Sequence, residues 1–563
     1  MFIKLARARG HTYAQIVESY RDANGQPRQR NLLTLGRIDE NNGQIDKMLQ
    51  TLLKARGHGS VDTATPQVQF ESALSLGDVW ALDQLWREIG FDCLAGVFRR
   101  ARFSTSVEQA IRVMVFNRLC DADSKLGTLR WLQTVSMPGV DPAKLTHQHL
   151  LRSMDALMDH QQAIDDCVAH LLRPLIDDAL SVVFYDLTTI RAAGHSVQDG
   201  DVRHFGMSKE GVVARQFMLG VVQTADGMPI YHEVFDGNTS EAPTLLPTVR
   251  KVLARYPHIR RLVMVADRGL LSVDNLADMA AISLPDDGQL LEFILAVPAR
   301  RYGEFAELLQ PLHAAAAPEG ETVGETSWEG LRLVVAHNPQ RAQEQTDKRT
   351  ARIAALEARA RDLTNKLDGQ ESGQKKRGRK LSDSGAKARF FHEVAEAHLS
   401  KIIKVDLKSD LFTYDIDAKA LARAQMMDGK LLLVTNVVDL EPAEIVQRYK
   451  SLADIERGFR VLKSEIEIAP VYHRLPERIR AHASICFMAL ILYRVMRQRL
   501  KAAGHSASPE TALAKLRRIQ RQSVAINQGV PVSGISNIHR EQADLLAAMN
   551  IRKPVPDAQL SLL

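Results

Sequence analysis

The spacing of apolar and polar positions changes several times along the chain, and each change predicts a different kind of element. In residues 1–60, alternation over 12–22 (TYAQIVESYRD) and 28–35 (RQRNLLTL) predicts two strands, with a helix to follow. Asn24-Gly25 between them is a hairpin turn, because both residues tolerate positive φ. Residues 61–175 carry helical periodicity, and Thr105 with Glu108 has capping-box spacing ahead of EQAIRVMVFNRL. Residues 176–299 switch to strands: SVVFYDLTTI, RQFMLGVVQT and MPIYHEVFDG, the last two joined by a turn at Asp226-Gly227. A helix over 242–256 and the strands RRLVMVAD and LEFILAVP follow. An antiparallel meander continued by strands alternating with helices predicts a mixed α/β sheet.

Residues 300–428 interrupt that pattern and read as an insertion domain. They hold the strand-like LRLVVAH, IIKVDLK and LFTYDID, a charged Ala-rich helix over 341–367, and a basic run from Lys375 to Lys380. A coiled surface excursion with a disordered basic loop is the alternative. Residues 429–505 return to the sheet with GKLLLVTNV and end in a buried helix, IRAHASICFMALILYRVMRQRL. The tail, 506–563, reads as helical and polar.

Between those two elements lies the stretch on which the rest is organised, YKSLADIERGFRVLK over 449–463. It predicts one helix, in which Gly458 is a tolerable interior cost. Tyr449, Glu456 and Lys463 are spaced by seven, which drifts only about 20° per step, so they line one stripe. Leu452, Ile455, Phe459, Leu462 and Ile466 form an adjacent apolar stripe facing a core. An acid, an aromatic and a cation therefore lie at the lip of a cleft. Alone, a surface helix with one solvated glutamate reads the same way. Asp186 and Asp267 change the balance, because both follow apolar runs of strand length, and sites assemble at strand ends in open sheets.

Composition narrows the classes only slightly. A chain of 563 residues with 45% apolar content holds several domains, or one large domain with an insertion. A net charge of +6 and a pI near 9.0 weakly favour a polyanionic partner. Cys93, Cys120, Cys167 and Cys486 are scattered with no C-x-x-C pair, so neither a zinc site nor a disulfide framework is suggested, in keeping with a reducing cytoplasm. MFIKLARARG lacks the apolar segment of a signal peptide, and the apolar run over 485–493 is too short to cross a bilayer. No GxxxxGK[ST] is present, which disfavours a phosphate-loop ATPase.

Tyr449, Glu456 and Lys463, with Asp186 in YDLTT, Gly237-Asn238-Thr239-Ser240 and Asp267 in ADRG, form a combination that resembles the DDE transposases of bacterial insertion sequences. The branch resembled carries a Y-x2-R-x3-E-x6-K signature, and the likeness runs from about residue 180 to about 500. Leu452 stands where that signature has Arg. The resemblance implies a ribonuclease-H-like catalytic core interrupted by an insertion domain, behind an N-terminal small β module and a helical region. It implies that Asp186, Asp267 and Glu456 are the catalytic metal ligands, and that Tyr449 and Lys463 contact DNA phosphates. Three converging carboxylates repel one another unless cations are present, and oxygen-only ligands suit Mg²⁺ or Mn²⁺. Two such ions roughly 3.5–4 Å apart support in-line attack on a phosphodiester. The implied reaction cuts double-stranded DNA at the element's ends and joins the 3′-hydroxyls to target DNA. Two ends must be joined, which implies a homodimer, cytoplasmic and nucleoid-associated, with no membrane. On the expected single helix Arg460 lies about 20° to the other side of Tyr449, and it is the candidate to replace the cation missing at Leu452. Arg268, beside Asp267, is a second candidate.

Asp267 lies 81 residues after Asp186, and Glu456 another 189 beyond, so only folding can bring them together. Asp199, Asp201 and Asp236 are rivals for the first ligand, whereas His195, His204 and His232 read as structural or surface groups. Trp80, Trp86 and Trp131 read as core; Trp328 either packs or stacks on a flipped base. Lys4, Arg7, Arg9, Arg21, Arg28, Arg30 and Arg37 make the first module basic, as a DNA-end contact or as a solvated hairpin face. A metal-dependent nuclease of the same fold and a catalytically inactive, transposase-derived DNA-binding protein are the competing functions.

Overall fold

The computed structural model describes residues 2–555 except 9, 24, 39–46, 48–50, 53–54, 56–67, 100–102, 104–105, 176–180, 209–210, 258, 260, 267–272, 285–288, 315–319, 373–379 and 527–528; it gives the backbone alone for 175, 181, 273–275 and 454–456. The chain divides into two compact units, Met1–Glu71 with Ser523–Val532, and Ser72–Gln522 with Ser533–Leu563. The first unit holds an antiparallel sheet of β1 (Phe2–Ala8), β2 (His11–Arg21) and β3 (Pro27–Arg37) in sequential order. Gly25 turns β2 into β3 at φ 76°. Two of these strands follow from the alternation; β1 is a third. The helix expected next falls largely outside the described residues.

β4 (Val68–Ser75) leads into the helical region, which runs from helix Gly77–Ile89 to helix Gln161–Leu172. Helix Val107–Cys120 is capped by Ser106, whose hydroxyl accepts from the Gln109 N–H at 3.3 Å, one residue after the expected Thr105. Glu108 does not close a capping box: it is buried and accepts from Trp86 Nε1 at 3.0 Å. Trp86 and Trp131 are buried, and Trp80 donates to the Arg552 carbonyl at 2.8 Å. One expectation is corrected here. Cys93 and Cys167 form a disulfide between two packed helices, with Cα atoms 6.3 Å apart. A 74-residue separation has no local signature; packing alone brings the two together.

Among the described residues the central sheet has nine strands. In spatial order they are β11 (Thr322–Trp328), β12 (Leu331–His337), β15 (Lys430–Thr435), β10 (Glu292–Ala296), β9 (Leu262–Ala266), β5 (Ser181–Arg191) and β7 (Val213–Thr224). β6 (His204–Met207) and β8 (Pro229–Asp236) share the far edge of β7 end to end, opposite 213–216 and 217–223 respectively. β5 runs parallel to β9, and β9 to β10; every other pairing is antiparallel. The meander, and the strands alternating with helices that follow it, agree with the mixed α/β expectation. β6 was not foreseen, because four residues reading HFGM carry too little alternation.

Strand periodicity sorts the residues onto two buried faces. Phe184, Ile190, Leu219, Val221, Val263 and Val265 face one core; Val183, Tyr185, Val222, Met264 and Ala266 face the other. The first face is covered by helix Ala453–Ser464 and by helix Pro476–Ala502, whose central residues are buried all round. Helix Pro476–Ala502 is long and apolar enough to cross a membrane by length and composition, but 94% of its apolar window is buried inside the protein.

Three further expectations change. The stretch over 449–463 is two helices, Pro442–Lys450 and Ala453–Ser464, broken at Ser451-Leu452. There the Leu452 N–H bonds to the Tyr449 carbonyl, three residues back, at 3.0 Å, and the Leu452 side chain is buried in the core. The seven-residue stripe is thus interrupted between Tyr449 and Glu456. Within 300–428, β11 and β12 extend the central sheet itself. The rest departs from it: helix Pro339–Glu371, helix Asp383–Glu396, the hairpin of β13 (Ile403–Val405) and β14 (Tyr414–Ile416), and helix Ala418–Met427. That part has its own core around Phe390, Leu356, Leu363 and Phe412, so it is packed structure, not a surface excursion. The basic run at 375–379 lies outside the described residues. The tail is not polar throughout: it contains β16 (Gln520–Ile526) and β17 (Val532–Ile535), and Leu513, Leu516, Leu545 and Leu546 are buried.

Gly458 allows helix Ala453–Ser464 to dock this closely. A Cβ there would lie 2.5 Å from Gln223 Nε2 and 3.0 Å from Arg494 Nη2, and Gln223 is fully buried on β7. In a free helix Gly→Ala gains about 1 kcal/mol; here Gly458→Ala is expected to gain nothing, and Gly458→Val to lose about 1–3 kcal/mol by overpacking. Urea unfolding of both variants measures this, and a stabilised Gly458→Val would contradict the close approach.

Candidate active site

Asp186 projects from the middle of β5 on the face that bears Phe184 and Ile190, opposite Val221 of β7. It is 8% exposed, and the Leu187 N–H donates to its Oδ1 at 2.7 Å. Its chain neighbour Tyr185 pairs in parallel with Ala266, the last residue of β9. Asp267 is next in sequence after Ala266; it and Arg268 lie outside the described residues. Glu456 occupies the first turn of helix Ala453–Ser464, which packs against β5. The segment that leaves this helix is tied to the same strand: the Val471 N–H donates to the Arg191 carbonyl at 3.0 Å, and the Ala193 N–H to the Val471 carbonyl at 2.8 Å. The fold therefore brings together the strand with Asp186, the strand that ends before position 267, and the helix bearing position 456.

The rival carboxylates have other roles. Asp201 is buried, and both its oxygens are engaged: Arg203 Nε donates to Oδ1 at 2.8 Å, Arg203 Nη2 to Oδ2 at 2.8 Å, and Arg215 Nη2 to Oδ2 at 2.9 Å. Burial would raise this carboxyl, but the hydrogen bonds and charge of Arg203 outweigh it and hold it down to about 2. Asp199 is exposed, and Asp236 lies 4.0 Å from His204 Nε2 at the surface. His195 is exposed. His232 stacks on Phe487, with ring centroids 4.3 Å apart, and its Nε2 meets Ser484 Oγ at 3.0 Å. Trp328 packs beside Phe305 with centroids 5.1 Å apart. Among the described residues no group of three or more acidic, His or Cys side chains forms a metal cluster.

Tyr449 is half-buried at the wall of a cavity of about 920 Å³ between the sheet extension and the inserted helices. Arg300, Arg341, Lys401 and Lys419 also line it, while Lys450 pairs with Glu321 at 2.6 Å and Arg349 with Asp428. These cations come from separate segments and have no common sequence signal, so the sequence did not single them out. Lys463 is half-buried and Arg460 exposed, both on the second helix. The wheel that set Arg460 beside Tyr449 does not survive the break at 451–452; on its own helix Arg460 is one turn after position 456 and three residues before Lys463. In the first unit, Arg28 pairs with Asp22 at 3.1 Å and Arg30 with Glu18 at 2.5 Å, so these two are partly neutralised.

The family comparisons bear on this arrangement. A model of the IS1634 family transposase N-terminal domain matches residues 3–64, and a model of the transposase DDE domain matches residues 178–492, more than half of the chain. The chain belongs to the DDE transposase family. No curated protein matches it. The transposase DDE match takes in β5 to β15, the inserted helices and helix Ala453–Ser464; the N-terminal match takes in β1–β3. Membership makes the protein a DNA transposase, in a family that generally uses divalent metal ions.

The Asp201 clamp in this transposase is testable. Removing one partner of a buried ion pair leaves the other uncompensated, so Asp201→Asn is expected to cost about 3–5 kcal/mol. The depressed folded pKa means that Asp201 contributes stability above its unfolded value of 3.8, which is lost as pH falls towards about 2. Urea unfolding across that pH range should show the loss in the wild type and a flatter profile in Asp201→Asn; equal stability of the two proteins would refute the clamp.

Proposed function

We propose that this transposase cuts double-stranded DNA at the ends of its insertion sequence and joins the freed 3′-hydroxyls to target DNA, with Asp186, Asp267 and Glu456 as its catalytic carboxylates. The observation that carries this reading is the docking of helix Ala453–Ser464 on β5, on the face of Asp186, beside the parallel strand that ends at Ala266. That three segments so far apart in sequence approach one another supports the reading.

The donor set fits the metal that the reading requires. Asp186 is an oxygen donor on a sheet face that it shares with apolar side chains and with Thr188 and Gln223, and the other two candidates are carboxylates as well, a hard set that suits Mg²⁺ or Mn²⁺ and disfavours zinc. Bound there, two such ions supply activation of a water or 3′-hydroxyl and stabilisation of the leaving oxygen. The protein's own part is positioning. The Leu187 N–H orients the Asp186 carboxylate, and Phe184 and Val221 keep its surroundings apolar. Tyr449, Lys463, Arg460 and Arg268 are the proposed DNA-phosphate contacts. Arg460, exposed on the helix that carries Glu456, takes the part that Leu452 cannot, since Leu452 is buried. Joining two ends requires two copies of the catalytic core, so the active assembly is a homodimer on DNA.

Asp186→Asn keeps the shape and removes the charge. Cleavage of an element-end duplex in Mg²⁺ or Mn²⁺ is expected to fall by at least about 10³-fold, several kcal/mol of transition-state stabilisation, while binding to the same duplex without metal persists. Wild-type cleavage by that variant would sink the assignment. Arg460→Ala is expected to weaken binding and to reduce the salt slope of the affinity by about one; an unchanged slope would remove Arg460 from the interface.

A further inference from the structure

A second cavity, of about 770 Å³, lies between the helical region and the segment that follows helix Ala453–Ser464. Its wall is continuous with the strand of Asp186 through the hydrogen bonds between Val471 and β5. Three buried cationic or polar groups face it. Lys125 is 7% exposed, and no described side chain or carbonyl accepts from its Nζ. Arg118 is 5% exposed; two of its nitrogens bond to the Glu467 and Asp123 carbonyls, but its Nε is buried without a partner among the described residues. His482 is 7% exposed, its Nε2 meets the Ile468 carbonyl at 3.1 Å, and its Nδ1 is likewise without one.

Such a cluster is costly in a chain with nothing to offset it. Burial and the neighbouring Arg118 push the Lys125 ammonium down to about 8, and burial, aided by Lys125 and Arg118, keeps His482 neutral. The carboxylates nearby are committed or solvated: Asp155 pairs with Arg478 at 2.7 Å, and Glu467 is exposed. What is missing is an anion. At the mouth, Tyr472 is 73% exposed and Leu126 57% exposed, an aromatic platform beside a cationic floor. That pairing fits a nucleotide, with phosphate below and a base stacked on the ring.

We propose that this cavity binds a phosphate group through Lys125 and Arg118, and that the phosphate belongs to a DNA strand whose adjoining base rests on Tyr472. The phosphate site stands on the geometry alone; its assignment to a DNA strand rests on the transposase reading. A free phosphate would satisfy the same floor, so the test separates the two sources. Thermal unfolding of the full chain is followed in EDTA with inorganic phosphate, and separately with a 5′-phosphorylated single-stranded tetranucleotide. Both are expected to raise the wild-type melting temperature. Lys125→Met, with Lys125→Gln as a second variant, is expected to melt higher than wild type without ligand, because an unpaired buried charge is gone, and to bind either ligand at least about tenfold more weakly. Tyr472→Ala is expected to keep the response to phosphate and to lose that to the tetranucleotide. No effect of phosphate on the wild type, or an equal effect on the Lys125 variants, overturns the site. A phosphate response with tetranucleotide binding indifferent to Lys125 and Tyr472 overturns the DNA-strand assignment and leaves a free-phosphate site. EDTA removes the cations on which cleavage depends, so failure of the catalytic reading would show in the cleavage assay and not here.

Discussion

The structure depends on β5 being buried on both faces while carrying one buried carboxylate, Asp186. β5 pairs in parallel with β9 on one side and antiparallel with β7 on the other. Its even-numbered residues Phe184 and Ile190 and its odd-numbered residues Val183, Tyr185 and Leu187 enter two different cores. A strand in that position is apolar nearly throughout, as parallel strands covered on both sides are. Asp186 breaks the rule, and burying a carboxylate is costly unless other groups compensate. Such an exception in an apolar strand marks a site.

The sheet face around Asp186 is built to receive helix Ala453–Ser464. Phe459, Leu462 and Ile466 enter the same core as Phe184 and Val221, Gly458 removes the side chain that would hold the helix away, and the Val471 bridge locks the exit of the helix to the end of β5. Leu452 buries itself at the break between the two helices, so it has a packing role. The first of these helices, Pro442–Lys450, packs over β9 to β12, and the second over β5. The break lets one stretch of chain serve two parts of the sheet, with Tyr449 turned towards the cavity beside the inserted helices.

Charge is handled differently in each place. Around Asp201, two arginines and one carboxylate meet with their hydrogen-bonding capacity filled, and the result is a structural clamp between the loop after β5 and strand β7. Around Lys125, cations collect while the carboxylates at the cavity, Asp123 and Glu467, are exposed to solvent. Sequence proximity to Asp186 made Asp201 look like a possible ligand, yet its full coordination by Arg203 and Arg215 excludes that role.

By itself the sequence determined the periodic elements and the motif. The strands of residues 181–296 other than β6 and the buried closing helix were legible, because each depends on local alternation along the chain, and the motif residues could be named there without their meeting being decided. What only the tertiary structure decided is whatever depends on contacts between distant segments. β11 and β12 join the sheet through β15, Cys93 reaches Cys167 across two helices, Asp201 meets its arginines, and the expected single helix breaks where Leu452 finds a core. A periodic pattern records which face of an element is buried; it does not record which neighbour buries it, and that choice is made by packing among residues tens to hundreds of positions apart.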